Sequence, residues 1–128
     1  MAFVFFNPNP KNKRVGDCSV RALCKALNMS WDEAFLSMAV VAMNEYDMPS
    51  ANYVWGKVLH KFGFDRMVIP STCPTCLTVK EFEEKHPEGI YVLACENDHV
   101  VTVCSGDHYD TWDSSDDVVL YYYTTEKE

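Results

Sequence analysis

The chain has 128 residues, 48% hydrophobic and 13% aromatic, with a formal net charge of −8 at pH 7. That length suits a single domain over 1–128 whose core needs no covalent staples, and the composition excludes a disordered chain. The acidic balance argues against nucleic acid as a partner, and the one basic cluster, "PKNKR" at 10–14, is too short to reverse this.

The opening "MAFVFF" is apolar but shorter than the apolar region of a signal peptide, and "NPNP" follows at once. The other long apolar run, "AFLSMAVVAM", is too short to span a bilayer. The expectation is a soluble, cytoplasmic protein with no membrane contact. Six cysteines without a secretory signal then read as mostly reduced thiols.

"NPNPKNKRVGD" reads as extended, because each proline biases its predecessor away from helix. Gly16 and Asp17 punctuate the start of a helix from about Cys18 to Leu27, with Val20, Leu23, Cys24 and Leu27 on one buried face. "SWDEAFLSMAVVAMNEY" is a second helix opened by a Ser30/Glu33 capping box and broken by Pro49. "SANYVWGKVLHKF" is a third that stops at Gly63, and "DRMVIP" is a short strand. "TVKEFEEKH" repeats the capping box with Thr78 and Glu81 and ends before Pro87. From Gly89 the pattern turns to β: "IYVLAC", "HVVTVCS", "HYDTWD" and "VVLYYYT", the last an alternating strand. Helices followed by an antiparallel meander predict an α+β domain.

Cys18 falls in the first turn of its helix, with Asp17 before it and Arg21 three residues after. Unpaired N–H groups and the helix dipole there favour the thiolate, the reactive form. A thiolate nucleophile needs a base, and the base needs an orienting group. Of the four histidines, His60 reads as a helix surface residue, His86 as a partner of a helix C-terminus, and His108 as part of a hairpin turn. His99 differs, since it opens the most apolar strand directly after the polar turn "END" and can face a helix packed across the sheet.

The orienting carboxylate is Asp110 or Asp113 in "YDTWDS", because "HVVTVCSGDHYDTWD" reads as a hairpin whose second arm runs beside His99. Strands are depleted in aspartate, and a buried carboxylate needs a partner. A two-residue turn at Gly106 and Asp107 sets Asp110 on the face of His99, Val101 and Val103; a three-residue loop, Gly106 to His108, sets Asp113 there. Asp113 lies nearer His99 along the folded-back hairpin and is the favoured choice, with Asp110 the alternative.

The order Cys, His, Asp, with a helix-borne cysteine early and the other two on late strands, resembles the papain-like cysteine peptidase superfamily. "GDCSVRA" and "HVVTVCSGDHYDTWD" carry the resemblance. "DCS" is similar to the Asp-Cys-Gly start of the bacteriocin-leader peptidase branch, with Ser19 in place of the glycine. "NPNP", "GDC" and "VRA" together with "YDTWD" resemble small papain-like proteins of phages and gut bacteria. The resemblance implies a papain-like fold, N-terminal helices packed on a C-terminal antiparallel β-sheet. It implies a cysteine peptidase acting on a peptide or protein substrate without a cofactor, with Cys18 as nucleophile, His99 as base and Asp113 as orienter. The family's oxyanion-hole glutamine, six residues before the nucleophile, corresponds to Asn12, one methylene shorter, with Asn7 or Asn9 as substitutes. Other thiol acyl chemistry (amidase, isopeptidase or transglutaminase-like transfer) and a non-enzymatic binding module on the same fold remain the alternatives.

"CPTC" at 73–76 has the spacing of half a zinc site, but no second pair follows, and His86, Cys95 and Cys104 would have to complete it from scattered elements. No metal site is expected, and no Gly-rich phosphate loop is present.

Overall fold

The periodicities resolve, in a computed structural model that describes residues 2–69 and 76–126, into four helices and a six-stranded sheet. In chain order these are β1 (Phe3–Phe5), α1 (Cys18–Leu27), α2 (Trp31–Glu45), α3 (Asn52–Lys61), β2 (Asp65–Val68), α4 (Val79–Lys85), β3 (Ile90–Cys95), β4 (His99–Cys104), β5 (Asp107–Asp110) and β6 (Val119–Thr124). The architecture is α+β. Among the described residues no helix is long and apolar enough to cross a membrane.

Local chemistry sets the helix ends. In α2 the Ser30 hydroxyl accepts the Glu33 N–H at 3.1 Å while the Glu33 carboxylate accepts the Ser30 N–H at 3.0 Å. Thr78 and Glu81 build the same reciprocal cap on α4. Tyr46, in the left-handed region at φ 54°, ends α2 three residues before Pro49, so the turn and not the proline stops that helix. At α1 the Asp17 side chain makes no cap bond, because it is committed elsewhere.

Strand alternation sorts the sheet's side chains into two cores. Val92, Ala94 and Val100 face the α1–α3 layer and pack with Leu23, Met38, Trp55 and Leu59. Leu93, Val101 and Val103 face the other way and pack with Val79 and Phe82 of α4 and with Tyr122. Burial on both faces accounts for the unbroken apolar run of β3. Thr102, fully buried, donates its hydroxyl to the Ala22 carbonyl at 2.7 Å and so fixes α1 against β4.

The sheet departs from a purely antiparallel meander. Its order is β1-β5-β4-β3-β6-β2. Only β3, β4 and β5 form the meander; β6 crosses to the far edge of β3, pairing Leu93 with Tyr122, and β2 pairs with β6. "MAFVFF" supplies β1, an edge strand parallel to β5, so the sheet is mixed. Three paired residues are too few to show a period in sequence. "HYDTWD" also yields less strand than expected, since β5 ends at Asp110.

The β4–β5 turn is Ser105–Gly106, with Cys104 opposite Asp107 and Val103 opposite His108. Both turn residues have positive φ, 51° and 81°, which matches the twist of a two-residue hairpin.

Candidate active site

His99 opens β4, Asp110 closes β5, and Cys18 is the first residue of α1, so all three stand at one end of the sheet. The half-buried Cys18 thiol lies 3.6 Å from the Asp98 carbonyl and hydrogen-bonds to the His99 side chain and the Val100 N–H. His99 Nε2 meets Asp110 Oδ2 at 2.6 Å, which leaves Nδ1 as the ring nitrogen available to the thiol.

Burial pushes the Cys18 thiol up, but bonds from His99 and the Val100 N–H, with the charges of His99 and Arg21, outweigh it and hold the thiol below its ordinary value. Burial pulls His99 down, and Asp110 and Cys18 overcome it, raising the imidazolium to about 9. The two shifts together favour a thiolate–imidazolium pair. Elsewhere burial dominates: it raises Cys24 to about 11 and pushes Cys95 up further.

The carboxylate behind His99 is Asp110, not Asp113. One further step of the observed hairpin register sets Asp110 opposite Val101, whose side chain is in phase with His99. The turn is one residue earlier than either alternative read from the sequence, and it is a two-residue turn. Asp113 lies beyond the strand, exposed, where it accepts from the Ser115 hydroxyl and from His108 Nε2 at 3.2 Å. Asp110 is fully buried and fully engaged. Besides His99 it accepts the Ser114 hydroxyl at 2.6 Å, the Thr111 N–H at 2.8 Å and Arg21 Nη2 at 2.9 Å. Burial acts to raise its pKa, and these donors win, leaving it below the usual carboxylate value.

Arg21 answers why an acid and a base flank the cysteine. Its Nη1 holds Asp17 Oδ1 at 2.8 Å, and the other Asp17 oxygen accepts the Trp31 indole N–H at 2.9 Å. Asp17, Arg21 and Asp110 are all nearly or fully buried. Two carboxylates then face one guanidinium and one imidazolium, so the cluster behind the thiol is neutral with His99 protonated. The Asp17–Arg21 spacing was visible in sequence, whereas the link to Asp110 needed the fold.

Cys18 opens onto a cleft of about 410 Å³ lined by Gly16, Cys18, Ser19, Asn52, Asp98 and Val100, among others. Asn12 is not among the lining residues. It sits exposed at φ 56° in a turn, its N–H bonded to the Asn9 carbonyl at 3.0 Å. Asn7 and Asn9 are likewise spent on the loop: Asn7 bonds to the Lys13 carbonyl and the Asn9 N–H, and Asn9 to the Lys11 N–H. Turn chemistry claims all three, because asparagine tolerates the left-handed region and mimics turn backbone. Half-exposed Trp112 packs on the His99 ring at 4.8 Å between centroids and covers it from solvent.

The remaining histidines stand apart from Cys18. His60 is exposed on α3, and His86 bonds to the Phe82 carbonyl at 2.8 Å at the end of α4. His108 is not in a turn: it is fully buried within β5, with Nδ1 2.9 Å from the Glu83 carboxylate of α4. Of the CPTC motif, Cys73 lies outside the described residues, and Cys76 is half-buried. Comparison with protein-family models, with curated proteins and with solved structures gives no match.

Proposed function

We propose that the chain is a papain-like cysteine hydrolase that cleaves peptide or amide bonds through a thioester on Cys18. The observation that carries this reading is the linked set Cys18, His99 and Asp110, with Cys18 lining a cleft, the thiol lowered and the imidazole raised. A nucleophile that opens a helix, with its base and orienter on adjacent strands, supports the papain-like assignment.

The steps follow from the geometry. The Cys18 thiolate attacks the acyl carbon, and the imidazolium of His99 gives its proton to the leaving amine as the C–N bond breaks. Neutral His99 then takes a proton from water, which attacks the thioester, releases the acid and restores the ion pair. Asp110 holds the ring by Nε2 and stabilises its cationic form, so Nδ1 stays aimed at sulfur. Trp112 limits the access of water to that pair. The need for a reduced Cys18 supports a reducing compartment such as the cytoplasm, where thiols persist.

Peptide libraries incubated with wild type and with Cys18→Ala, read by mass spectrometry, test the proposal. Cleavage products that require Cys18 are expected. A folded wild type that neither cleaves peptides nor forms a Cys18 thioester with an activated ester would overturn it.

A further inference from the structure

An acyl transfer at Cys18 places negative charge on the former carbonyl oxygen, and that charge needs donors fixed before the reaction. The Cys18 N–H is one, since the first N–H of a helix has no partner within it. With Asn12 held in its turn, a side-chain donor has to come from elsewhere in the cleft.

We propose that Asn52, the first residue of α3, supplies that donor; the inference rests on the reading of Cys18 as an acyl-accepting nucleophile. Asn52 lines the same cleft as Cys18, reached from a different helix, and is exposed there. Its amide has a defined orientation. The Trp55 indole Nε1 lies 3.1 Å from the Asn52 side chain, and an indole N–H can only donate, so the amide end facing it is Oδ1. The Nδ2 group, with its two donors, is therefore the end left free of that bond.

The anchor is rigid. Trp55 is fully buried, stacked parallel to Tyr121 at 6.5 Å and edge-on to Tyr123 at 5.4 Å. Donors prepositioned in this way cost little reorganisation as the oxyanion forms. Of the other polar side chains in the cleft, Asp98 carries only acceptors when ionised, Ser19 is nearly fully buried, and Ser50, exposed before α3, offers one rotatable hydroxyl rather than an amide oriented by a buried tryptophan.

Two reactions of the same sulfur separate this role from a structural one. p-Nitrophenyl acetate acylates the thiolate through a tetrahedral oxyanion: an S–C bond forms, and p-nitrophenolate leaves with the electron pair. Iodoacetamide alkylates it by direct displacement of iodide, with no oxyanion. In Asn52→Ala and Asn52→Asp the acylation rate should fall about 100-fold or more. The limiting thiolate rate of alkylation, taken from a full pH profile, should stay within about twofold of wild type. Asn52→Asp retains an oxygen for Trp55 and so preserves the anchor, and Asn12→Ala should leave both rates unchanged. Acylation at the wild-type rate in folded Asn52→Ala and Asn52→Asp would overturn the assignment, as would an equal fall in both reactions. Failure of the underlying reading has a different signature: p-nitrophenolate release by wild type would persist in Cys18→Ala or be absent altogether.

Discussion

Arg21 Nη2 donates to Asp110 Oδ1 at 2.9 Å across 89 residues of chain, while Nη1 of the same group holds Asp17 at 2.8 Å. One guanidinium thereby fastens the start of α1 to the carboxylate behind His99. Removing it leaves two buried carboxylates without the cation they share, and breaking a buried pair in this way costs about 3–5 kcal/mol. Arg21→Met is expected to lower the unfolding free energy by that amount in urea titration. Arg21→Lys should recover only part of it, because a single ammonium lacks the fork that spans both acids. Wild-type stability in Arg21→Met would contradict the role.

Asp110 and Asp113 can be separated directly. Asp110→Asn removes the charge that raises His99, so the imidazole should titrate well below its wild-type value of about 9 by NMR. Turnover should fall about 100-fold. Asp113→Ala, which removes bonds to Ser115 and His108, should leave both readings near wild type. The reverse pattern would mean that the hairpin register is wrong.

The pH dependence follows from the two shifts. Activity should rise as Cys18 ionises below its ordinary thiol value and fall as His99 loses its proton near pH 9. For stability, His99 has a folded value of about 9 against an ordinary 6.5. Its contribution is therefore complete below about pH 6.5 and is lost as pH rises through about 9. The stability gap between wild type and His99→Ala should accordingly shrink between pH 6 and pH 10, as measured by urea midpoints. A gap that widens would reverse the sign of the linkage.

Limiting iodoacetamide at about pH 6 should label Cys18 ahead of every other thiol on peptide mapping. Cys24 and Cys95 are buried with raised values and should stay unmodified until the protein unfolds. Preferential labelling of Cys73 or Cys76 would move the reactive centre to the CPTC motif.

The Glu83–His108 contact joins α4 to β5 inside the second core. His108→Ala strips the buried Glu83 carboxylate of that partner, and a loss of about 3 kcal/mol is expected. Cys18 labelling of the folded variant should not change, which distinguishes His108 from His99.

Much of this arrangement was legible in the sequence where the signal was local. Both capping boxes, the α1 bounds and the position of His99 are written within a few residues of themselves. What escaped depends on pairing between distant segments. Asp110 was separated from Asp113 only by where the hairpin turns, and Ser105 at φ 51° gives no advance notice of a left-handed turn residue. β1 has three residues and exists because β5 offers it an edge. Asn52 resembles any polar residue at a helix start until the Trp55 contact orients its amide.

Cys18 and the groups that lower its thiol belong to opposite ends of the synthesis order. Cys18 leaves the ribosome early, and His99, the Val100 N–H and Asp110 follow more than 80 residues later. Until the β4–β5 hairpin docks on α1, the thiol has no imidazolium beside it and keeps an ordinary, weakly nucleophilic character. On the proposed reading, chemical competence is thus withheld from nascent and unfolded chains until that hairpin is in place. A chain truncated before His99 should carry an inert cysteine.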